Sequence, residues 1–572
     1  MEDMKSLLVS SLSNLTDSKY LLNNQDNIKY IPYGTAGFRG KADEVEHLFL
    51  RVGLVAGMIS WSQRANVGVM ITASHNPVED NGVKIIGSTG GMLSLEWERI
   101  VEEFCNFKAQ SIEEVVGKLF SLVELQTLSG AGGDTTTTLV GVKSEPKSSN
   151  HGQAFIGCDT RPSSRRLVEL TQKGLAAWKI IEYKFMGEIT TPALHFIVGQ
   201  ATFEQNNSIS SINYYDKLLN GFVALFDGEM QNDEAKQNYD RARLVIDCAN
   251  GVGSRTMEYL FRGESSLLKK YLPAKLINIG DQKDDILNYE CGADYVKTKH
   301  LPPRGANELN KRYASLDGDA DRVVYSYLKR DFDDSLELVL LDGDKILALY
   351  TKYLTDTLRK YHLNESLTLG AIQTAYANGA STDYLKDKLN LSNVDCVDTG
   401  VKHLHKRALN YDFGIYFEAN GHGTIWVSDK AKKIIEDRGI KELQQLLGIL
   451  NNYTGDAISD ILIVEMILNH YDWDVEQWDE LYRDRPNSLI KIKVTDRSLV
   501  VTTNAGRTCL KPEGLQAEID RIVAQFKPGS RSFVRASGTE NVVRVYAECD
   551  SQEGADQLAQ LIGEKVIEYC NK

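Results

Sequence analysis

The sequence predicts a multidomain α/β protein that closes with a smaller α+β domain, on three observations. At 572 residues the chain exceeds what one hydrophobic core organises, so three or four domains are expected. Short apolar β-prone runs, Val67–Ile71 and Leu244–Ile246 among them, break abruptly into small polar residues, the strand-then-turn order of open α/β sheets. The C-terminal part reads as strands at 488–495, around 533 and at 542–548, with a helix at 513–526. A last helix there carries Leu558, Leu561, Ile562 and Val566 at helical spacing.

Composition narrows the class. Hydrophobic residues at 42%, charged residues at 25% and 45 glycines describe a turn-rich globular chain. No apolar run approaches a membrane span, and Met1-Glu2-Asp3-Met4-Lys5 lacks the order of a secretory signal, so a cytoplasmic protein is expected. Eight scattered cysteines without a C-x-x-C pair fit reduced thiols better than disulfides or zinc. A net charge of −14 argues against nucleic acid as partner. Screening beyond roughly 8 Å leaves anion binding to local clusters of arginine and lysine.

Taken in order, the chain opens on a polar helix, Lys5 to Leu22, and reaches Tyr33-Gly34-Thr35-Ala36-Gly37-Phe38-Arg39-Gly40. Its glycines let backbone amides approach a ligand, and Arg39 stands there as a fixed cation. The strand Val67–Ile71 then delivers Thr72-Ala73-Ser74-His75-Asn76-Pro77, presenting the Ser74 hydroxyl on a turn beyond a strand end. Lys84 follows ten residues later on the next turn or strand. Residues 126–152 are expected as a surface insertion, and 203–217 and 227–240 as linker or insertion.

Leu244–Ser254 imitates a dinucleotide fingerprint, but Thr256 replaces the third glycine, so a nucleotide cofactor is not expected. Neither Gly40-Lys41 nor Gly117-Lys118 continues as a Walker A loop. In Asp317-Gly318-Asp319-Ala320-Asp321-Arg322, three alternating carboxylates before a strand can converge on one hard cation. Arg322 and Leu328 exclude an EF-hand, and oxygen ligands in a short loop suit Mg²⁺. In Leu341-Asp342-Gly343-Asp344, Asp344 reads as the N-cap of a helix from Ile346 to Leu354. Glu418, Ala419 and Asn420, in a glycine-rich loop, can offer acceptors and a donor to sugar hydroxyls. A helical connector spans Asp456 to Asn469. Arg535-Ala536-Ser537-Gly538-Thr539, with Arg544 on the next strand, forms a dianion cradle.

These four stretches, in this order, resemble the α-D-phosphohexomutase superfamily over nearly the whole chain. Phe417–Gly423, Cys291–Lys297, Ala375–Gly379 and Val542–Tyr546 are similar to its branch acting on N-acetylated hexosamine phosphates. Ala536 departs from the proline usual there. The resemblance implies three related mixed-sheet α/β domains (1–204, 205–336, 337–466) and a C-terminal α+β domain (467–572) around a central cleft, and a monomer is expected.

It further implies interconversion of N-acetylglucosamine 6-phosphate and 1-phosphate, supplying UDP-N-acetylglucosamine synthesis. Ser74 would carry the phosphoryl group and a hexosamine 1,6-bisphosphate would be intermediate and activator. One Mg²⁺ would sit on Asp317, Asp319, Asp321 and phospho-Ser74, with Arg39, His75 and Lys84 near the transferring oxygens. Lys84 or His75 would move the hydroxyl proton. Glu418, Ala419 and Asn420 would hold the sugar, while Arg535, Ala536, Ser537, Gly538, Thr539 and Arg544 would hold the idle phosphate. The competing readings are a glucose or mannose phosphate mutase, a serine-dependent sugar phosphatase, and a non-catalytic binding protein.

Overall fold

The computed structural model describes residues 1–15, 19–23, 28–34, 36–129, 152–204, 208–229, 239–261, 266–331, 334–537 and 541–570. The chain divides into two compact units. Unit 1 is Met1–Phe226, Arg241–Arg322 and Asn451–Ser459; unit 2 is Asp227–Asp240, Val323–Leu450 and Asp460–Lys572.

Unit 1 begins with a mixed sheet of β1 (Phe38–Lys41), β2 (Val67–Ile71), β3 (Asp80–Ile86), β4 (Gln153–Cys158) and β5 (Glu182–Glu188), in the order β1-β3-β2-β4-β5. Strands β2, β4 and β5 run parallel, while β3 is antiparallel to both β1 and β2. Every residue of β2 is buried, as a continuous Val-Gly-Val-Met-Ile run demands of a strand covered on both faces. The helices Phe49–Gln63 and Ser164–Ala176 contribute buried leucines and valines to the core of this sheet. Farther along, β6 (Leu244–Asp247) pairs in parallel with β7 (Lys275–Ile277) and with β8 (Arg312–Leu316).

Unit 2 starts with the antiparallel pair β9 (Val323–Arg330) and β10 (Leu336–Leu341). Strands β11 (Leu369–Thr374), β12 (Val394–Val397), β13 (Phe413–Phe417) and β14 (Gly423–Val427) follow in a sheet ordered β12-β11-β13-β14, antiparallel only at β13–β14. At the C-terminal end, β15 (Asn487–Lys493), β18 (Arg531–Ala536) and β19 (Val542–Glu548) form an antiparallel sheet ordered β15-β19-β18. A small hairpin of β16 (Val501–Thr503) and β17 (Thr508–Lys511) precedes β18. Helices Leu515–Val523 and Gln552–Cys570 share a core with Ile490, Ile492, Val534, Val543 and Val545. The α/β class and its α+β ending are therefore as expected.

Three expectations need correction. The first helix covers Glu2–Ser13, with a separate turn at Lys19–Leu22. Most of the stretch taken as linker from 203 is helix, because Thr191–Phe203 is followed by Ser211–Glu229. Tyr214, Leu218 and Phe222 are buried along it at intervals of four. The N-cap of Gly343–Lys360 is Asp342, whose carboxylate accepts the Asp344 amide at 3.0 Å. Residues 130–151 of the expected insertion and 230–238 lie outside the described residues. Among the described residues, no helix is long and apolar enough to cross a membrane, and all eight cysteines are free thiols.

Candidate active site

Unit 1 gathers the first group of predicted residues. Strand β2 ends at Ile71, and Ser74 follows in a turn with φ +52°, a conformation that costs a non-glycine residue about 1–2 kcal/mol. Its Oγ donates to Asp317 Oδ2 at 2.7 Å, bridging 243 residues of sequence. Register explains the neighbouring cations. Arg39 in β1 lies opposite Gly82 in β3, so its side chain shares a face with Lys84 two residues on. A Cβ at Gly82 would stand 3.0 Å from Arg39 Cγ and 2.2 Å from the Phe38 carbonyl oxygen. Glycine keeps that path open.

The acidic loop follows β8. The carboxylate oxygens of Asp317, Asp319 and Asp321 lie within 4.8 Å of one another, all buried. Asp317 Oδ1 accepts the amides of Asp321 and Arg322 at 3.1 and 3.2 Å, folding the loop onto itself. Lys84 Nζ reaches Asp319 at 3.1 Å and Asp321 at 2.7 Å. Arg322 Nε stands 3.7 Å from both Asp317 and Asp321. Thr191 donates both its hydroxyl (2.7 Å) and its amide (3.1 Å) to Asp319.

Three buried acids in one loop cannot all ionise unaided. Burial, then Asp321 and Asp319, push the Asp317 carboxyl well above its ordinary value. Burial works to lower Lys84, yet Asp319 and Asp321 overcome it and hold the ammonium protonated beyond its usual range. Burial and the nearby Arg322 and Arg39 push His75 well below its usual value, which leaves a neutral imidazole. Asp319 Oδ1, Arg39 Nε and Nη2, and His75 Nδ1 are buried without hydrogen-bond partners. Buried polar groups usually find partners, and these four atoms leave room for a ligand's. An all-oxygen donor set with one free buried carboxylate oxygen fits a hard divalent cation, and the free guanidinium nitrogens fit a phosphoryl group.

The second group lies in unit 2, on two loops. Glu418, Ala419 and Asn420 occupy the turn between β13 and β14, each half-buried. Glu418 Oε1 accepts the Gly400 amide at 3.1 Å, and Asn420 Oδ1 accepts the His422 amide at 3.0 Å. Arg535, the second-last residue of β18, lies directly opposite Arg544 in β19, which in turn faces Lys491 in β15. Like charges set side by side across a sheet repel, so this row favours an anion beside it. Arg544 Nε is buried without a partner. Ser537 is buried and donates its amide to the Val542 carbonyl at 2.9 Å. Ala536 ends β18 opposite Val543. Gly538 and Thr539 lie outside the described residues.

Several contributors escaped the sequence reading. Thr191 sits in Thr190-Thr191-Pro192, a visible helix start, but its grip on Asp319 is a tertiary fact. Arg161, in Asp159-Thr160-Arg161-Pro162, bonds the Ser74 loop. Burial, then Lys402, Lys406 and last Arg535, lower the pKa of His403 against the opposing Asp398.

A serine at a parallel-strand end, bonded to a buried aspartate triplet, belongs on this fold to an enzyme of the phosphohexomutase class. Sequence comparison agrees. Residues 54–111 match "Phosphoglucomutase/phosphomannomutase, alpha/beta/alpha domain I", and residues 489–565 match the C-terminal domain of the same group. Residues 207–324 and 342–473 match "Phosphoacetylglucosamine mutase AMG1" domains II and III. Phosphoacetylglucosamine mutase 1 of Schizosaccharomyces pombe is 41% identical over 562 residues, covering 95% of this chain and 99% of the yeast protein.

Among solved structures, Aspergillus fumigatus N-acetylphosphoglucosamine mutase in complex with GlcNAc-6P and magnesium aligns with TM-score 0.82 and 35% identity, over 99% of each chain. A serine-to-alanine variant of the Aspergillus enzyme, in complex with glucose 1,6-bisphosphate, aligns with TM-score 0.81 and 36% identity, again over 99% of each. The chain belongs to the phosphoacetylglucosamine mutase family.

Proposed function

We propose that this chain interconverts N-acetylglucosamine 6-phosphate and N-acetylglucosamine 1-phosphate, with Ser74 as the phosphoryl carrier. The observation that carries the reading is the Ser74–Asp317 contact at 2.7 Å, which sets a hydroxyl against a carboxylate cluster fit for a divalent ion. In the forward direction the free sugar hydroxyl attacks phosphorus of phospho-Ser74. The new O–P bond forms as the Ser74 Oγ–P bond breaks, and the hydroxyl proton passes to the neutral imidazole of His75. The resulting 1,6-bisphosphate returns its other phosphoryl group to Ser74.

Mg²⁺ is the ion we assign, held by Asp317, Asp319 and Asp321 with Ser74 as a further ligand, where it would neutralise charge on the transferring oxygens. Arg39, with two nitrogens free for phosphoryl oxygens, and protonated Lys84 add fixed positive charge. In unit 2, Glu418, Ala419 and Asn420 hold sugar hydroxyls in either orientation. Arg535, Ala536, Ser537, Gly538, Thr539 and Arg544 hold the phosphate that is not reacting. Functionally the chain is read as four segments, 1–204, 205–336, 337–466 and 467–572, acting as a cytoplasmic monomer.

The test is intact mass after incubation with N-acetylglucosamine 1,6-bisphosphate. One added phosphate should map to the 72–77 peptide. Kinetics with the 6-phosphates of N-acetylglucosamine, glucose and mannose should rank the acetamido sugar first. Release of inorganic phosphate in place of isomerised sugar would instead identify a phosphatase.

A further inference from the structure

The Ser74 turn is held by a clamp outside the transfer machinery. The Arg161 side chain is fully buried beside Asp159, and all five of its N–H groups are used. Nε donates to Asp159 Oδ2 at 3.0 Å. Nη1 donates to the carbonyls of Pro77 and, at 2.9 Å, Asp80. Nη2 donates to those of Ser74 at 3.0 Å and Asn76 at 2.8 Å. The Ser74 loop thus wraps one guanidinium, giving it four backbone oxygens.

A second donor approaches from another part of unit 1. Asn288 Nδ2 bonds the same Ser74 and Asn76 carbonyls at 2.8 and 3.1 Å. Its backbone is anchored to Ala249 (2.9 Å) and itself lies at φ +59°. The amide of Ser74 is fixed in turn by Thr72 Oγ1 at 2.8 Å, whose hydroxyl donates to Asp159 at 2.7 Å. Both ends of the Ser74 peptide unit are therefore set from outside the residue. Left-handed backbone at a non-glycine residue persists only where surroundings over-determine it, and here they do.

We propose that Arg161 and Asn288 are positioning residues that impose the left-handed conformation of Ser74 and so aim its Oγ at the Asp317 side of the loop. The function of the turn rests on the phosphoserine reading above; its conformation does not. A lysine at 161 has three donors for five acceptors, so it cannot substitute.

Two measurements test this separately. The first is conformational and needs no catalysis. Glycine adopts the left-handed region freely, whereas alanine is strained there by about 1–2 kcal/mol, so Ser74→Gly should unfold at a higher temperature than Ser74→Ala in the native background. In an Asn288→Gly background, which keeps the local backbone but removes the amide, that gap should shrink or reverse. Equal midpoints in the native background, or a gap unchanged by Asn288→Gly, would overturn the clamp.

The second is quenched-flow mass spectrometry of Ser74 loading from N-acetylglucosamine 1,6-bisphosphate. Asn288→Gly and the isosteric Asn288→Asp should slow loading at least about tenfold, with the Kd for N-acetylglucosamine 6-phosphate unchanged by calorimetry. Arg161→Lys should not rescue the rate; should it fail to fold, the Asn288 variants decide. Native loading rates in both Asn288 variants would overturn the positioning role while leaving Ser74 the carrier. Absent loading in the unaltered protein would overturn the carrier reading and leave the stability contrast to judge the clamp.

Discussion

The two groups of site residues are built on opposite plans. In unit 1, Ser74, Asp317 and Asp319 are buried, Ser74 bonds Asp317 and the half-buried Lys84 bonds Asp319, and the backbone of the serine is gripped at both ends. In unit 2, Glu418–Asn420 are half-buried on a hairpin tip, and Arg535 and Arg544 stand side by side with a buried nitrogen still unpartnered. The contrast separates two tasks. Groups that exchange a phosphoryl must already be in place when bonds change. Groups that hold a substrate need open valences, which ligand binding fills.

The strongest break of the comparison is Ser74→Ala. Activity should fall at least about 10⁴-fold, while calorimetry still detects N-acetylglucosamine 6-phosphate, since the residues assigned to its phosphate are elsewhere. Loss of binding together with activity would mean that the division of labour is wrong. Next is Asp319→Asn, which removes the free carboxylate oxygen. It should weaken Mg²⁺ affinity by more than the roughly 10–100-fold lost with an outer-shell partner, read as the metal concentration needed to raise the unfolding temperature. Thr191→Val, removing the hydroxyl bond to Asp319, should shift the same curve by less.

On the binding side, Arg544→Ala should raise KM about 10–100-fold, the worth of one charge-assisted hydrogen bond at 1.5–3 kcal/mol, with kcat little altered. An unchanged KM would mean the phosphate is held by other groups.

The smallest effect concerns the base of the sugar-loop hairpin. Asp412, just before β13, accepts the Thr368 amide at 2.9 Å, the Ser428 hydroxyl at 2.8 Å and Lys430 at 3.1 Å. Burial acts to raise its pKa, but these donors together hold the carboxyl below its ordinary value. A folded pKa lower than the unfolded one gives stability that is present above the usual carboxyl value and lost as pH falls through the folded value. Asp412→Asn should therefore cost about 1 kcal/mol at pH 7, the lower end for such bonds because the Lys430 contact is exposed. The deficit should begin to shrink below about pH 4 and vanish only once pH has fallen through the lowered folded value. A deficit that persisted in acid would trace the cost to packing.

Much of this was legible because it is local. Strand β2 and the polar turn after it, the alternating aspartates after β8, and the arginine-rich end of β18 each show their character within a few residues. What was misread is equally specific. The helix Ser211–Glu229 opens on Ser-Ile-Asn, and that polarity masked the spacing of Tyr214, Leu218 and Phe222. The N-cap was placed at Asp344 because two aspartates flank Gly343, and only geometry decides between them. Arg161, Asn288 and Thr191 could not be found at all, since their partners lie 87, 214 and 128 positions away and nothing in the spacing encodes such meetings.

Gly318, between the first two aspartates, has a wider implication. A methyl group there would sit 2.6 Å from the Ser74 carbonyl oxygen and 3.1 Å from Asn288 Nδ2. The Ser74 turn and the acidic turn are thus in backbone contact, with no spare thickness between them. Neither can be redesigned alone: any attempt to graft a bulkier acidic loop into this scaffold, or to transplant the serine turn elsewhere, must carry both as a single cassette.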